Sequence, residues 1–164
     1  MKKYGLKTAT WIFLLLFLVG CKGEPPFPTL EHTLQCKLVI TKNQMQYETI
    51  LESPILGSYS FDVTSPPSVQ GMKVTIKNQT VSYTFEGITH SNEQGAPISL
   101  LEQIAGILEQ AVRGESLYWE QSREQWTGKG ALGDIPFTIV CHKTNNRPVS
   151  IKTQDGFTVE FYYE

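Results

Sequence analysis

The sequence predicts a mainly β domain with one long helix: a curved antiparallel sheet forming an incomplete barrel, with the helix on or in its concave face. Three observations carry this. Ten segments alternate apolar and polar residues with the period of two of a half-buried strand, and short polar turns separate them. A single stretch with apolar residues at helical spacing interrupts them after the fifth. One helix is too little to cover a flat sheet of ten amphipathic strands, so the sheet must curl to hide its own apolar face.

The chain begins differently. Lys2, Lys3 and Lys7 give a cationic start, and Trp11 to Val19 is an unbroken apolar run. That run is too short to span a hydrocarbon core of about 30 Å and suits the apolar centre of an export signal. It ends Leu18-Val19-Gly20-Cys21, which resembles the lipobox of bacterial lipoproteins. The resemblance implies cleavage between Gly20 and Cys21 and attachment of diacylglycerol to the Cys21 thiol. The small Gly20 leaves extended backbone open to a peptidase. A buried apolar helix would show polar residues at helical spacing, and residues 11–19 show none. Lys22-Gly-Glu-Pro-Pro-Phe-Pro28 then has the composition of a tether. The expected organisation is a signal over 1–20, a flexible tether over 21–31 and one half-barrel domain over 32–164.

Removal of residues 1–20 leaves 144 of the 164 residues, enough for a domain with its own core. Three of the fourteen basic residues leave with the signal, so eleven face sixteen acids, a net charge of −5. Such a domain is a poor ligand for nucleic acid and does not hold anionic lipid by charge. Attachment to the membrane is therefore expected through the acyl chains on Cys21. One chain holds a protein marginally and two hold it firmly. The expected location is the outer face of the cell membrane, or the outer membrane in a Gram-negative host.

The strands follow in order. Leu34, Cys36, Leu38 and Ile40 share one face; Met45, Tyr47, Thr49 and Leu51 follow after a turn at Asn43; Pro54 and Gly57 break the pattern. Tyr59, Phe61 and Val63 mark the third strand, which Ser65-Pro66-Pro67 ends. Met72, Val74 and Ile76, then Val81, Tyr83 and Phe85, mark the fourth and fifth around Asn78-Gln79. The helix is expected near 98–113. Ser99 and Glu102 have capping-box spacing, Leu100, Leu101, Ile104, Ile107, Leu108, Ala111 and Val112 form one stripe, and Gly114 suits the residue after the end. Strands resume at Leu117 to Gln121, Glu124 to Lys129 and Ile135 to Lys143. Val149 and Ile151, then Phe157, Val159, Phe161 and Tyr163, mark the last two after turns at Asn145-Asn146 and Gln154-Asp155-Gly156.

This order, with Tyr59-Ser-Phe-Asp-Val-Thr-Ser-Pro-Pro-Ser-Val-Gln-Gly71, Val81-Ser-Tyr-Thr-Phe-Glu-Gly87, the helix and the closing hairpins from Ile135-Pro-Phe to Phe161-Tyr-Tyr, resembles the lipoprotein-carrier superfamily of LolA, LolB and RseB-like proteins. The resemblance implies an incomplete antiparallel barrel around a hydrophobic cavity lidded by helix. The chain differs from the soluble carriers in its own lipid anchor and in having lysines, not an arginine, on its first strands.

No catalytic centre is legible. His32, His90 and His142 are isolated, and no His-Glu-x-x-His, Gly-x-Ser-x-Gly, Cys-x-x-Cys or phosphate-binding glycine loop occurs. Cys141 and His142 are adjacent, but neighbours on a strand point to opposite faces. Asp134 reads as a turn residue, and Trp119 and Trp126 read as barrel packing rather than a carbohydrate platform. Cys36 and Cys141 share parity with the large apolar residues of their strands and are expected to face inward, bonded in an exported protein or simply buried. No metal or cofactor is expected.

The expected function is therefore non-enzymatic: a membrane-anchored protein holding a lipid or another apolar ligand in the half-barrel, with Leu101, Ile104, Leu108, Tyr59, Phe61, Phe85, Phe137 and Phe161 as candidate cavity residues. The alternative is a structural or interaction protein of the cell envelope with a fully packed core, engaging an envelope partner by its outer face. The first test is at Cys21. Cys21→Ala is expected to abolish acylation and leave uncleaved precursor, read by intact mass and membrane fractionation; a variant still matured and acylated contradicts the lipobox.

Overall fold

The computed structural model describes residues 28–78, 80–92 and 99–164. The expected signal, with Gly20 and Cys21, and most of the expected tether lie outside the described residues. Eleven strands form one antiparallel sheet: β1 (Leu34–Lys42), β2 (Met45–Ile55), β3 (Ser58–Ser65), β4 (Lys73–Lys77), β5 (Thr80–Phe85), β6 (Ile88–Asn92), β7 (Tyr118–Gln121), β8 (Gln125–Leu132), β9 (Ile135–His142), β10 (Pro148–Thr153) and β11 (Phe157–Tyr162). The helix α1 (Leu100–Arg113) stands between β6 and β7.

The sheet order is β6-β5-β4-β3-β2-β1-β11-β10-β9-β8-β7. Two meanders, one before the helix and one after it, are joined where the first strand pairs with the last, Leu38 opposite Phe161 and Ile40 opposite Val159. The inner face carries Leu34, Cys36, Leu38 and Ile40 of β1, Leu51 of β2, Tyr59, Phe61 and Val63 of β3, Val74 of β4, Val81 of β5, Trp126 of β8, Phe137, Ile139 and Cys141 of β9, Ile151 of β10, and Phe157, Val159 and Phe161 of β11, all buried in one cluster with α1. Their strict alternation fixes the register, since a slip of one residue would turn each set outward.

Two strand expectations need correction. A sixth strand, Ile88–Asn92, precedes the helix; with a single large apolar residue it offers no alternating pattern to read. And β2 continues through Pro54 to Ile55 instead of stopping there. The β2–β3 ladder is irregular between Glu52 and Ile55, so the missing proline N–H falls where regular pairing is already interrupted.

The helix begins as its sequence requires. The Ser99 side chain accepts from the Glu102 N–H at 3.2 Å, and the Glu102 carboxylate accepts from the Ser99 N–H at 2.6 Å. Gly114, at φ 67°, closes it in the left-handed conformation that a side chain resists. Leu101, Ile104, Ala105, Ile107, Leu108 and Ala111 are buried, and two contacts show that the sheet they meet is curved. The Tyr83 hydroxyl of β5 donates to Glu102 at 3.1 Å. One helical turn on, Leu132 of β8 lies so close to Gly106 that an added methyl would stand 3.1 Å from its Cδ1. In a flat sheet β5 and β8 would be roughly 38 Å apart at about 4.8 Å per strand, and a helix is only about 10–12 Å across. Irregular pairing between β2 and β3 and between β9 and β10 supplies local bends. The sheet stays open, with β6 and β7 as its two edges.

Leu108 is fully buried. Leu108→Ala is expected to cost about 2–5 kcal/mol, as leucine truncation in a packed core does, read as a lower denaturant midpoint with unchanged slope; a cost under about 1 kcal/mol would mark α1 as a loosely held lid.

Candidate functional site

The helix, buried in one cluster with the inner face, is shorter than that face. Fourteen residues rise about 21 Å, whereas the nine of β1 extend about 30 Å. Glu109, toward the helix C-terminus, approaches Gly57 in the β2–β3 turn, so the helix N-terminus stops short of the opposite end, where β1 turns into β2. The remainder of the face is an apolar cleft of about 340 Å³. Its floor is Ile40 of β1, Thr49 of β2, Val63 of β3 and Val74 of β4, and its walls include Tyr47, Val69, Met72, Tyr83, Leu100 and Leu101. Lys42, Asn43 and Met45 of the β1–β2 turn stand at its rim.

Of the eight residues expected to line a cavity, Leu101 lines this cleft. Tyr59, Phe61, Ile104, Leu108, Phe137 and Phe161 are buried in the packed core outside it. Phe85 is the correction: it has the inner parity of β5 but is 38 % exposed. It is the last residue of its strand, two beyond Tyr83, whose hydroxyl bonds to Glu102. The lining residues not named as cavity candidates include Ile40, Thr49, Val63, Met72 and Val74, whose alternation was legible, and Val69, from the connection after β3, which has no periodicity to mark it.

The polar groups of the cleft are few. Tyr83 is tied to Glu102, and burial, the largest influence, raises its hydroxyl pKa. Lys42 pairs with Asp155 at 3.4 Å and lies 5.9 Å from the centre of the Phe157 ring. The Asp155 carboxyl is held below its ordinary range, first by the hydrogen bond from Thr153 and then by Lys42. Thr49 is 1 % exposed, and its hydroxyl reaches the Ile50 carbonyl only at 3.5 Å, the outer limit of a useful bond.

The chain enters the domain at the other end. Pro28 and Leu30 are buried, Glu31 pairs with Arg147 at 3.0 Å, and the Thr33 hydroxyl faces the Pro54 carbonyl at 3.5 Å. β1 then runs the length of the sheet, from that entry to Lys42 at the rim.

Other candidate groups are dispersed. Cys141 is fully buried and His142 exposed, on opposite faces of β9. Asp134 sits exposed in the β8–β9 turn. Trp126 is buried, and Trp119 lies across Gly128 so closely that an added Cβ would stand 2.9 Å from its ring, which is packing. Among the described residues no group of three histidine, cysteine or acidic side chains is placed to hold a metal. Cys36 and Cys141 face inward, unbonded.

No family model and no curated protein matches the chain. Among solved structures it is similar to a LolA superfamily protein of Nitrosomonas europaea, with 11 % sequence identity over 84 % of this chain and 86 % of that one, and a TM-score of 0.43.

Burial pushes both thiols from about 9.0 up to about 12. The folded protein therefore keeps protons that the unfolded chain releases above pH 9, so stability is undiminished below that value and falls as pH rises from about 9 to about 12. Two results are expected: alkylation of Cys36 and Cys141, mapped by mass, is slow at pH 8 until denaturant is added, and a Cys36→Ala/Cys141→Ala variant loses stability less steeply above pH 9. Rapid alkylation of the native protein would contradict this.

Proposed function

We propose that this chain is a non-enzymatic lipoprotein, anchored by acyl chains on Cys21 to the outer face of its membrane, that holds a lipid acyl chain in the apolar cleft while α1 plugs the concave face of the half-barrel. The observation that carries this reading is the cleft itself. Its volume of about 340 Å³ falls at the lower end of the roughly 300–1,000 Å³ of small-molecule sites. Roughly six methylenes, at about 0.8 kcal/mol each, would gain about 5 kcal/mol, a hold in the sub-millimolar range before the cost of immobilising the chain. Such a ligand is retained and can also be released.

The polarity of the domain adds a direction. The tether joins the end where Glu31 meets Arg147, and the rim at Lys42 lies at the far end of β1, about 30 Å away. A domain standing on its anchor presents the mouth away from its own bilayer. The ligand then arrives from the envelope space and not from the leaflet that holds the anchor.

The rival reading, an envelope interaction protein with nothing inside, is separated by one experiment. Full-length protein from its own host, examined by native mass spectrometry, is expected to carry an adduct of lipid mass. Met72→Trp, which fills the cleft from its wall, is expected to reduce that adduct about tenfold, the factor of losing two methylenes' hold, with the thermal midpoint unchanged. Absence of any apolar adduct from the unmodified protein would leave the rival standing.

A further inference from the structure

The two edges of the sheet are treated differently. β7 has four residues, and Glu120 on it pairs with Lys129 at 2.8 Å. A charged, short edge resists pairing with another strand. β6, at five residues, is also short, but it carries no charge. Ile88-Thr89-His90-Ser91-Asn92 contains no lysine, arginine, acid or proline, and its five pairs with β5 run without a bulge. Ile88 at its start is 75 % exposed, beside the 38 % exposed Phe85 that it opposes. One row of the backbone donors and acceptors of an edge strand faces away from its neighbour, so β6, paired on that side with none of the described residues, offers a template.

The sequence of β6 is also suited to one particular partner. Two copies laid antiparallel about a twofold axis through His90 would place Thr89 opposite Ser91 of the second copy, and Ser91 opposite Thr89. The structure already contains that kind of pair between β6 and β5, on the outer face of the sheet. Thr84 and Thr89 hydroxyls lie 3.1 Å apart, and Ser82 and Ser91 hydroxyls 3.0 Å. A hydroxyl has one donor and two acceptor sites, so each of these keeps capacity for a further partner across the axis. Cross-strand Ser/Thr pairs of this kind are favourable, and like charges in the same places are not.

We infer that β6 is a self-association edge: two copies of this chain pair antiparallel through Ile88–Asn92, centred on His90, and continue the sheet from one domain into the other. An interface of one short strand pair is small, so the dimer is weak and reversible in dilute solution. This inference is independent of whether the cleft holds a ligand.

Cysteine cross-linking of the full-length protein in membranes tests the pairing and its register. His90→Cys is expected to give a disulfide-linked dimer under mild oxidation, because position 90 meets itself across the axis. Ile88→Cys is expected to give little, although Ile88 is highly exposed, because it would lie four residues, about 13 Å, from its own copy along the strand. Adding Thr89→Lys with Ser91→Lys is expected to reduce the His90→Cys dimer about tenfold through two like-charge pairs, and Thr89→Lys with Ser91→Glu to restore it. Unchanged circular dichroism of each variant establishes that the edge, not the fold, was altered. Equal cross-linking at positions 88 and 90, none at either, or loss of dimer in both charged variants would overturn the inference; in the last case a strand from a different protein becomes the better occupant.

Discussion

Everything in this domain depends on the pairing of β1 with β11. The six strands before the helix and the five after it form two meanders, each able to assemble from local hairpins. Neither alone encloses an interior. Joining them brings Ile40 against Val159 and Leu38 against Phe161, all buried at the middle of the sheet. The loop closed by that contact exceeds a hundred residues. Its entropic cost grows only slowly with length, whereas the gain is a single inner face wide enough to bend around a helix. The same contact makes the fold non-local, because the centre of the sheet cannot exist until the chain is complete.

What the sequence revealed, and what it did not, divides along this line. Local patterns were legible. Parity placed Cys36 with Leu34 and Leu38, and Cys141 with Phe137 and Ile139, and both thiols are buried. The Ser99–Glu102 spacing marked a real capping box, and Gly114 a real left-handed cap. Errors arose where the outcome depends on what lies across the fold. Phe85 has the right parity and sits at the end of its strand, two residues beyond Tyr83. Pro54 looks like a stop and falls at an irregularity in the ladder. β6 has no apolar rhythm, and Ile88 and His90 are exposed among the described residues. Only Leu101 among the expected cavity residues lines the cleft, because a cleft is a mismatch between the lengths of two elements, and no single segment records it.

That mismatch also explains why one apolar face can serve two purposes. Ile104, Ile107 and Leu108 of α1 are buried in one cluster with Phe61, Ile139 and Val159 of that face, with almost no exposure, and this part supplies the cohesion. Beyond the helix N-terminus the same face continues through Ile40, Val63 and Val74 without a covering element among the described residues. Leaving apolar floor uncovered forgoes stabilisation of about 25 cal/mol for each Å². A domain can bear that deficit at one end when the rest is closely packed.

The position of the helix start is therefore the variable that sets the size of the cleft, and one carboxylate fixes it. Glu102 accepts the Ser99 N–H, which ends the helix locally, and the Tyr83 hydroxyl, which ties that end to β5. A capping box alone would define where the helix begins along the chain but not where that point sits on the sheet. The bond to Tyr83 adds the second coordinate, and Tyr83, Leu100 and Leu101 then become one wall of the cleft. The opposite wall, with Val69 and Met72, is held by backbone bonds across the connection after β3, Gly71 N–H to Val63 C=O and Val63 N–H to Met72 C=O, each at 2.9 Å. Both walls are thus anchored to the sheet by hydrogen bonds outside the apolar lining. The shape of the space between them therefore rests on those bonds and not on side chains packing within it.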